Sequence, residues 1–170
     1  ELFIEALSML VEVFSRNNFH AIILGSDQGR NVYSKKLLLL VERYRLAKKI
    51  TFIENCKEMP IAYKLSDIVV SSSIEPEAFG RVAVEAQAME KVIIASNIGG
   101  SKETVLNGKS GLLYNFNDSK DLAKAINKAM EMSKNTLDLM GAEGRKNVEK
   151  KFNVDQMCQT TFTEYMKLLK

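Results

Sequence analysis

Apolar positions along the chain switch between two periods. Short, mostly β-branched runs occur at His20-Ala21-Ile22-Ile23-Leu24-Gly25, Ile50-Thr51-Phe52-Ile53, Asp67-Ile68-Val69-Val70, Lys91-Val92-Ile93-Ile94-Ala95 and 111–114. Runs of this kind suit strands of a parallel sheet whose two faces are both covered. Between them the apolar residues take a helical spacing. Leu2, Phe3, Ala6, Leu7, Leu10, Val13 and Phe14 mark an amphipathic helix at the start, and further helices are expected over 30–47, over 59–65 and from near Phe79. Beyond Tyr114 the pattern is helical throughout, over 118–132, 137–151 and 154–169, with Asp118 and Asn153 as helix-start residues.

Strands alternating with helices predict an α/β fold, a Rossmann-like parallel sheet with helices on both faces. Right-handed crossovers then place the C-terminal strand ends, and the loops that follow them, on one edge. Residues 1–170 read as a single domain ending in a C-terminal helix at about 154–169. No internal repeat, low-complexity stretch or flexible linker interrupts it.

Composition narrows the function classes. Hydrophobic residues make up 46% and charged residues 26% of the 170, as in an ordinary globular chain with a full core. The net charge of +3 comes from 24 basic residues spread along the chain, without the stripe typical of nucleic-acid binders. It leaves room for an anionic ligand or for loose contact with an anionic membrane surface. Cys56 and Cys158 lack metal-type spacing, which favours a reduced, cytosolic chain. No apolar run approaches the roughly 18 residues of a membrane span, and no signal peptide is visible. There is no Asp-x-Asp and no His or Cys cluster, so no metal site is expected. The single histidine, His20, opens a strand and reads as structural or solvated.

The stretch that carries chemistry runs from Ser71 to Glu85. A strand end leads into a polar loop with Glu75, Pro76 and Glu77, and a helix follows with Gly80 at its first turn. Free N–H groups and aligned peptide dipoles at such a helix start favour an anion, and glycine allows its close approach. Glu85 lies roughly 9 Å further along the axis. A helix start flanked by carboxylates can hold a phosphate-bearing ligand. The same residues also have a plainer use: Glu75 and Glu77 complement the helix dipole, and Arg81 and Glu85 pair at a spacing of four. Against the plainer use, the other neighbours of Glu85 at three and four residues are Val82, Ala88 and Met89. A carboxylate on an apolar face calls for a partner or a ligand.

Elsewhere, Gly25-Ser26-Asp27-Gln28-Gly29 lacks the G-x-G-x-x-G spacing and reads as a plain strand-to-helix turn. Gly99 and Gly100 before a helix form a second potential anion nest, with Glu103 in a capping-box position.

Glu77 and Glu85, with seven residues between them and Phe79-Gly80 inside the interval, resemble the E-x7-E motif of retaining GT-B glycosyltransferases, and of glycosyltransferase family 4 in particular. The resemblance extends over Asp67-Ile68-Val69-Val70, Glu85-Ala86-Gln87-Ala88-Met89, Ile93-Ile94-Ala95-Ser96, Gly99-Gly100-Ser101-Lys102-Glu103 and Asn107-Gly108-Lys109-Ser110-Gly111-Leu112-Leu113. It implies the donor-binding, C-terminal half of a GT-B fold. Implied with it are a missing first strand, an Arg-x4-Lys pair upstream of Glu1, and an N-terminal acceptor domain outside this chain. The implied reaction moves a sugar from a nucleotide-diphosphate sugar to an acceptor hydroxyl with retention. It needs no cofactor and no metal.

By the same resemblance, Glu77 is the catalytic-site carboxylate that contacts the donor sugar, and Glu85 accepts hydrogen bonds from the ribose. Phe79, Gly80, Arg81 and Val82 hold sugar and phosphate through the backbone. Gly99 and Gly100 form the opposite wall, and Asn55 and Cys56 touch the base. The expected setting is cytoplasmic, at the inner face of a membrane, in cell-envelope polysaccharide or lipopolysaccharide synthesis, with a glycolipid or a small metabolite as acceptor also compatible. The family pattern is broken at Glu90 and Val92, where glycine and proline are usual. An epimerase or phosphorylase on the same fold, and a non-catalytic nucleotide-binding domain, are the alternatives.

Overall fold

The computed structural model describes residues 1–26, 29, 31–54 and 56–169. Asp27, Gln28, Arg30 and Asn55, which figured in the loop and base-contact expectations, lie outside the described residues. The elements follow the order α1 (Leu2–Glu12), β1 (Ala21–Leu24), α2 (Asn31–Arg43), β2 (Ile50–Ile53), α3 (Met59–Leu65), β3 (Ile68–Ser71) and α4 (Arg81–Ala88). They continue with β4 (Val92–Ser96), α5 (Ser101–Thr104), β5 (Gly111–Tyr114), α6 (Ser119–Glu131), α7 (Lys134–Lys151) and α8 (Val154–Leu168).

All strand pairs are parallel, and β4 is the centre of the ladder β3-β4-β5, in register at Val69↔Ile93 and Ile93↔Gly111. Alternate side chains of a strand face opposite sides, and β4 shows this directly. Ile94 joins Leu112, Tyr114 and the buried faces of α1 and α6 (Leu7, Leu10, Leu122, Ile126). Ile93 and Ala95 join Tyr63, Ala83, Ala86 and Val105 on the other side. Helices on both faces therefore bury β4 completely. Behind α4, the buried Gln87 amide donates to Ala83 O at 2.9 Å and Thr104 O at 3.0 Å, and Asn147 of α7 donates to the same Thr104 O at 3.1 Å.

The expected single sheet is divided. β1 pairs only with β2, in register at Ala21↔Ile50, and among the described residues that ladder has no hydrogen-bonded link to β3-β4-β5. Ala21 and Ile50 nevertheless share the core of Ile94 and Leu112, so one apolar layer serves both ladders. The β1–β2 ladder is also less covered than β4, leaving Ile22, Phe52 and Ile53 exposed.

Boundaries shift where side-chain caps decide them. Helix α7 starts before the expected residue 137, because Ser133 caps it by accepting from Thr136 N. Helix α2 ends at Arg43, and Arg45 turns the chain with φ of 56°. Helix α8 has its Asn153 cap but buries none of its residues, so Met157, Phe162, Tyr165 and Leu169 stand exposed.

Glu90, one of the two departures from the family pattern, takes the left-handed conformation that glycine would supply, with φ of 57°. Glu90 N–H donates to Gln87 O at 3.0 Å and Lys91 N–H to Ala86 O at 2.9 Å, which closes the end of α4. Arg145 of α7 supports this turn by donating to Ala88 O at 3.1 Å. A non-glycine residue in this region carries strain of about 1–2 kcal/mol, partly offset because glycine loses more chain entropy on folding. Glu90→Gly is therefore expected to stabilise the chain by roughly 0.5–1 kcal/mol. A rise in urea midpoint without a change in slope would show it, whereas a fall would mean that the Arg145 contacts outweigh the strain.

Candidate functional site

The site lies where β3 runs out into the loop before α4. Helix α4 begins at Arg81, two positions later than expected, and Gly80 is its N-cap with φ of 75° and ψ of 62°. That left-handed turn is open to glycine at low cost. Gly80 O is the first intrahelical acceptor, taken by Ala83 N–H at 3.0 Å. The N–H groups of Arg81 and Val82 precede it and have no acceptor within the helix. They form the positive end of the helix dipole.

The loop is held from the β4–α5 turn. Gly100 N–H donates to Glu77 O at 2.8 Å. A Cβ at Gly99 would lie 2.5 Å from Glu77 O, and one at Gly100 would lie 2.7 Å from the Phe79 backbone. Only residues without side chains allow this approach. The Gly100 N–H is thus committed to the loop, which removes it from the expected anion nest. The same bond displaces the expected capping box, because the N–H that Glu103 would satisfy goes to Glu77 O. Glu103 is exposed instead.

The two carboxylates are held differently. Glu77 is half-buried and accepts a short hydrogen bond from Ser73 Oγ. A Cβ built on Gly80 would lie 3.8 Å from Glu77 Oε2, so the carboxylate stands beside the helix start. Glu85 is 35% exposed and accepts from Tyr63 Oη at 2.9 Å through Oε2, and from Arg81 Nη2 at 2.9 Å through Oε1. The Arg81–Glu85 pair read from the spacing is therefore present, and so is a second partner that the sequence reading missed. Burial, and then the neighbouring Glu85 carboxylate, push the Tyr63 hydroxyl well above the ordinary tyrosine range, so it remains a donor. The available signal was a tyrosine inside a short apolar helix, since a buried tyrosine hydroxyl needs a partner.

Phe79 is exposed and packs edge to face with Phe152 at the end of α7, with ring centroids 5.6 Å apart. Val82 and Glu75 are exposed. Cys56 is half-buried between β2 and α3, at the same edge of its own ladder. His20 immediately precedes β1, at the opposite end, with Nε2 2.8 Å from Thr51 Oγ1. Two shallow concavities lie elsewhere. One, lined by Lys150, Lys151, Phe152 and Gln156, borders the loop through Phe152, and the other, lined by Asn17, Phe19, Arg45 and Lys49, is at the N-terminal strand edge. Glu77 and Glu85 line neither.

The sequence profile described as Glycosyl transferases group 1 matches residues 1–147. The capsular polysaccharide biosynthesis glycosyltransferase CapM of Staphylococcus aureus is 28% identical over 153 residues, which cover 90% of this chain and 39% of that protein. Among solved structures, a glycosyltransferase of Rickettsia africae superposes with a TM-score of 0.90 at 30% identity, over 99% of this chain and 44% of that one. Anabaena Alr3699/HepE in complex with UDP superposes with a TM-score of 0.88 at 26% identity, over 98% of this chain and 44% of that one. The chain thus spans less than half the length of these relatives.

The contact between Gly100 and Phe79 has a measurable consequence. Gly100→Ala is expected to cost about 1–3 kcal/mol, because backbone faces the new methyl group and cannot yield as a side chain would. Urea unfolding measures this directly. Unchanged stability would mean that the loop does not bear on the glycines.

Proposed function

The chain belongs to the glycosyl transferases group 1, and from that premise we propose that it is the donor-binding domain of a retaining glycosyltransferase. The enzyme moves a hexosyl group from a nucleotide-diphosphate sugar to an acceptor hydroxyl. The observation that carries the reading is the start of α4, where N–H groups with no backbone acceptor among the described residues, the Glu77 carboxylate and Glu85 stand within one loop and two helical turns.

In this reading the N–H groups of Arg81 and Val82 receive the diphosphate, and charge developing on it during departure strengthens those contacts. Glu77, oriented by Ser73, takes hydroxyls of the donor sugar, and Glu85 takes those of the ribose. The bond between the anomeric carbon and the diphosphate oxygen breaks, and a bond to the acceptor oxygen forms on the same face. The acceptor proton passes to the departing diphosphate. No protein nucleophile, cofactor or metal takes part. Among the described residues no group of three or more His, Cys, Asp and Glu is arranged around a common point.

The rest of the enzyme supplies the missing wall. Among the described residues β1 and β3 each lack a partner on one edge, and in a doubly wound sheet the strand that joins the two halves sits there. We assign that place to the upstream strand carrying the Arg-x4-Lys pair. The exposed apolar side chains of α8 meet the N-terminal acceptor domain. CapM directs the proposal toward cell-envelope polysaccharide, with lipopolysaccharide in the same class. The enzyme then works on the cytoplasmic side, in peripheral contact with the membrane. No helix among the described residues is long and apolar enough to cross one. Alone, residues 1–170 bind donor weakly and transfer nothing, since half the cleft is absent.

Calorimetric titration with UDP, GDP, ADP and their sugar conjugates tests the reading. One nucleotide is expected to bind selectively, and Glu85→Ala to weaken it roughly ten- to hundredfold through lost hydrogen bonds to a charged group. Binding that ignores the Glu85 substitution, or measurable sugar transfer by this chain alone, counts against it.

A further inference from the structure

Glu85 ends in two oxygens with unequal neighbours. Oε2 accepts from Tyr63 Oη at 2.9 Å in a partly buried setting. Among the described residues, Oε1 accepts only from Arg81, whose side chain is 84% exposed, at 2.9 Å from Nη2 and 3.2 Å from Nε. An exposed i,i+4 ion pair contributes little and exchanges readily with water. The Tyr63 bond is of another kind. Tyr63 is 6% exposed and packs in one cluster with Ala83, Ala86, Ile93, Ala95 and Val105. Its hydroxyl is therefore delivered to one point by packing, and holding it there costs no further side-chain entropy.

Resting on the donor-site reading above, we infer that Tyr63 is a positioning residue for that site: it anchors Glu85 through Oε2 and so presents Oε1 as the exchangeable acceptor for a vicinal diol of the nucleotide ribose. Arg81 occupies Oε1 while the site is empty and gives it up to the sugar hydroxyls. The gain is pre-organisation, because the carboxylate does not have to be ordered when the nucleotide arrives. Without the phenolic hydroxyl, Glu85 is free to follow Arg81 outward, and the ribose meets an unfixed carboxylate.

The inference separates hydroxyl recognition from the rest of the nucleotide. The test is calorimetric titration with UDP, GDP and ADP, and with the 2′,3′-dideoxy form of whichever binds. It compares the unmodified chain, Tyr63→Phe, Glu85→Ala and the double variant. Phenylalanine keeps the ring and its packing, and thermal unfolding checks that the fold is retained. Tyr63→Phe is expected to weaken the ribonucleotide roughly tenfold, the size of one hydrogen bond to a charged group, and to leave the dideoxy form within about twofold. In the double variant it adds no further loss, because it acts only through Glu85.

Equal weakening of both nucleotides, no weakening of either, or an additive loss in the double variant overturns the role of Tyr63. Those results leave the donor site standing if Glu85→Ala still weakens the ribonucleotide. A chain that binds no nucleotide, or binds independently of Glu85, overturns the donor-site reading and this inference with it.

Discussion

The backbone of Gly99-Gly100 lies against the backbone of Pro76–Phe79, closer than any side chain would allow. The loop that bears Glu77 has no regular structure of its own, so its shape must come from what it rests on. Here it rests on the turn after β4, the most completely buried strand of the described chain. The Gly100–Glu77 hydrogen bond then fixes where Gly80 starts α4. The direction of the unpaired N–H groups, the place of Glu77 beside them and the depth of Glu85 all follow. An irregular loop is thereby tied to a buried strand through main-chain atoms.

Two carboxylates close to one helix start could be treated as equivalent surface charges, but their surroundings separate them. Glu77 leans on a serine of its own loop and stands at the dipole end. Glu85 is anchored from the core by a tyrosine on another helix and from outside by an exposed arginine. A short local tether suits a group that meets the reacting part of a ligand. A tether from the core suits one that sets position. The proposed reaction uses both, and α4 carries the distance between them.

Much of this was readable in advance. The β-branched runs and helical spacings placed the strands and most helices of the described chain near their observed positions, because a covered strand reads as a short continuous apolar run and a helix with one buried face as a 3.6-residue spacing. The Arg81–Glu85 pair followed from a spacing of four. The misses share one cause. The start of α7 at Ser133, the course of the loop onto Gly100, the split between β1-β2 and β3-β4-β5 and the Tyr63–Glu85 bond each depend on a partner distant in sequence or on a single cap. A pattern window holds no information about such partners.

From the sequence alone came the α/β class, the order of elements, the helix start with its carboxylates and the family resemblance, because each is written in local periodicity or short spacing. Tertiary structure decided which N–H groups lack a backbone acceptor among the described residues, since the Gly100 donor goes to Glu77 O while those of Arg81 and Val82 find none. It also decided which oxygen of Glu85 is anchored, and that α8 leaves its apolar side chains uncovered. Hydrogen bonds and burial depend on distances in space: residues 63 and 85 become neighbours only when α3 and α4 pack on one face of the sheet, and residues 77 and 100 only when their loops meet at one edge.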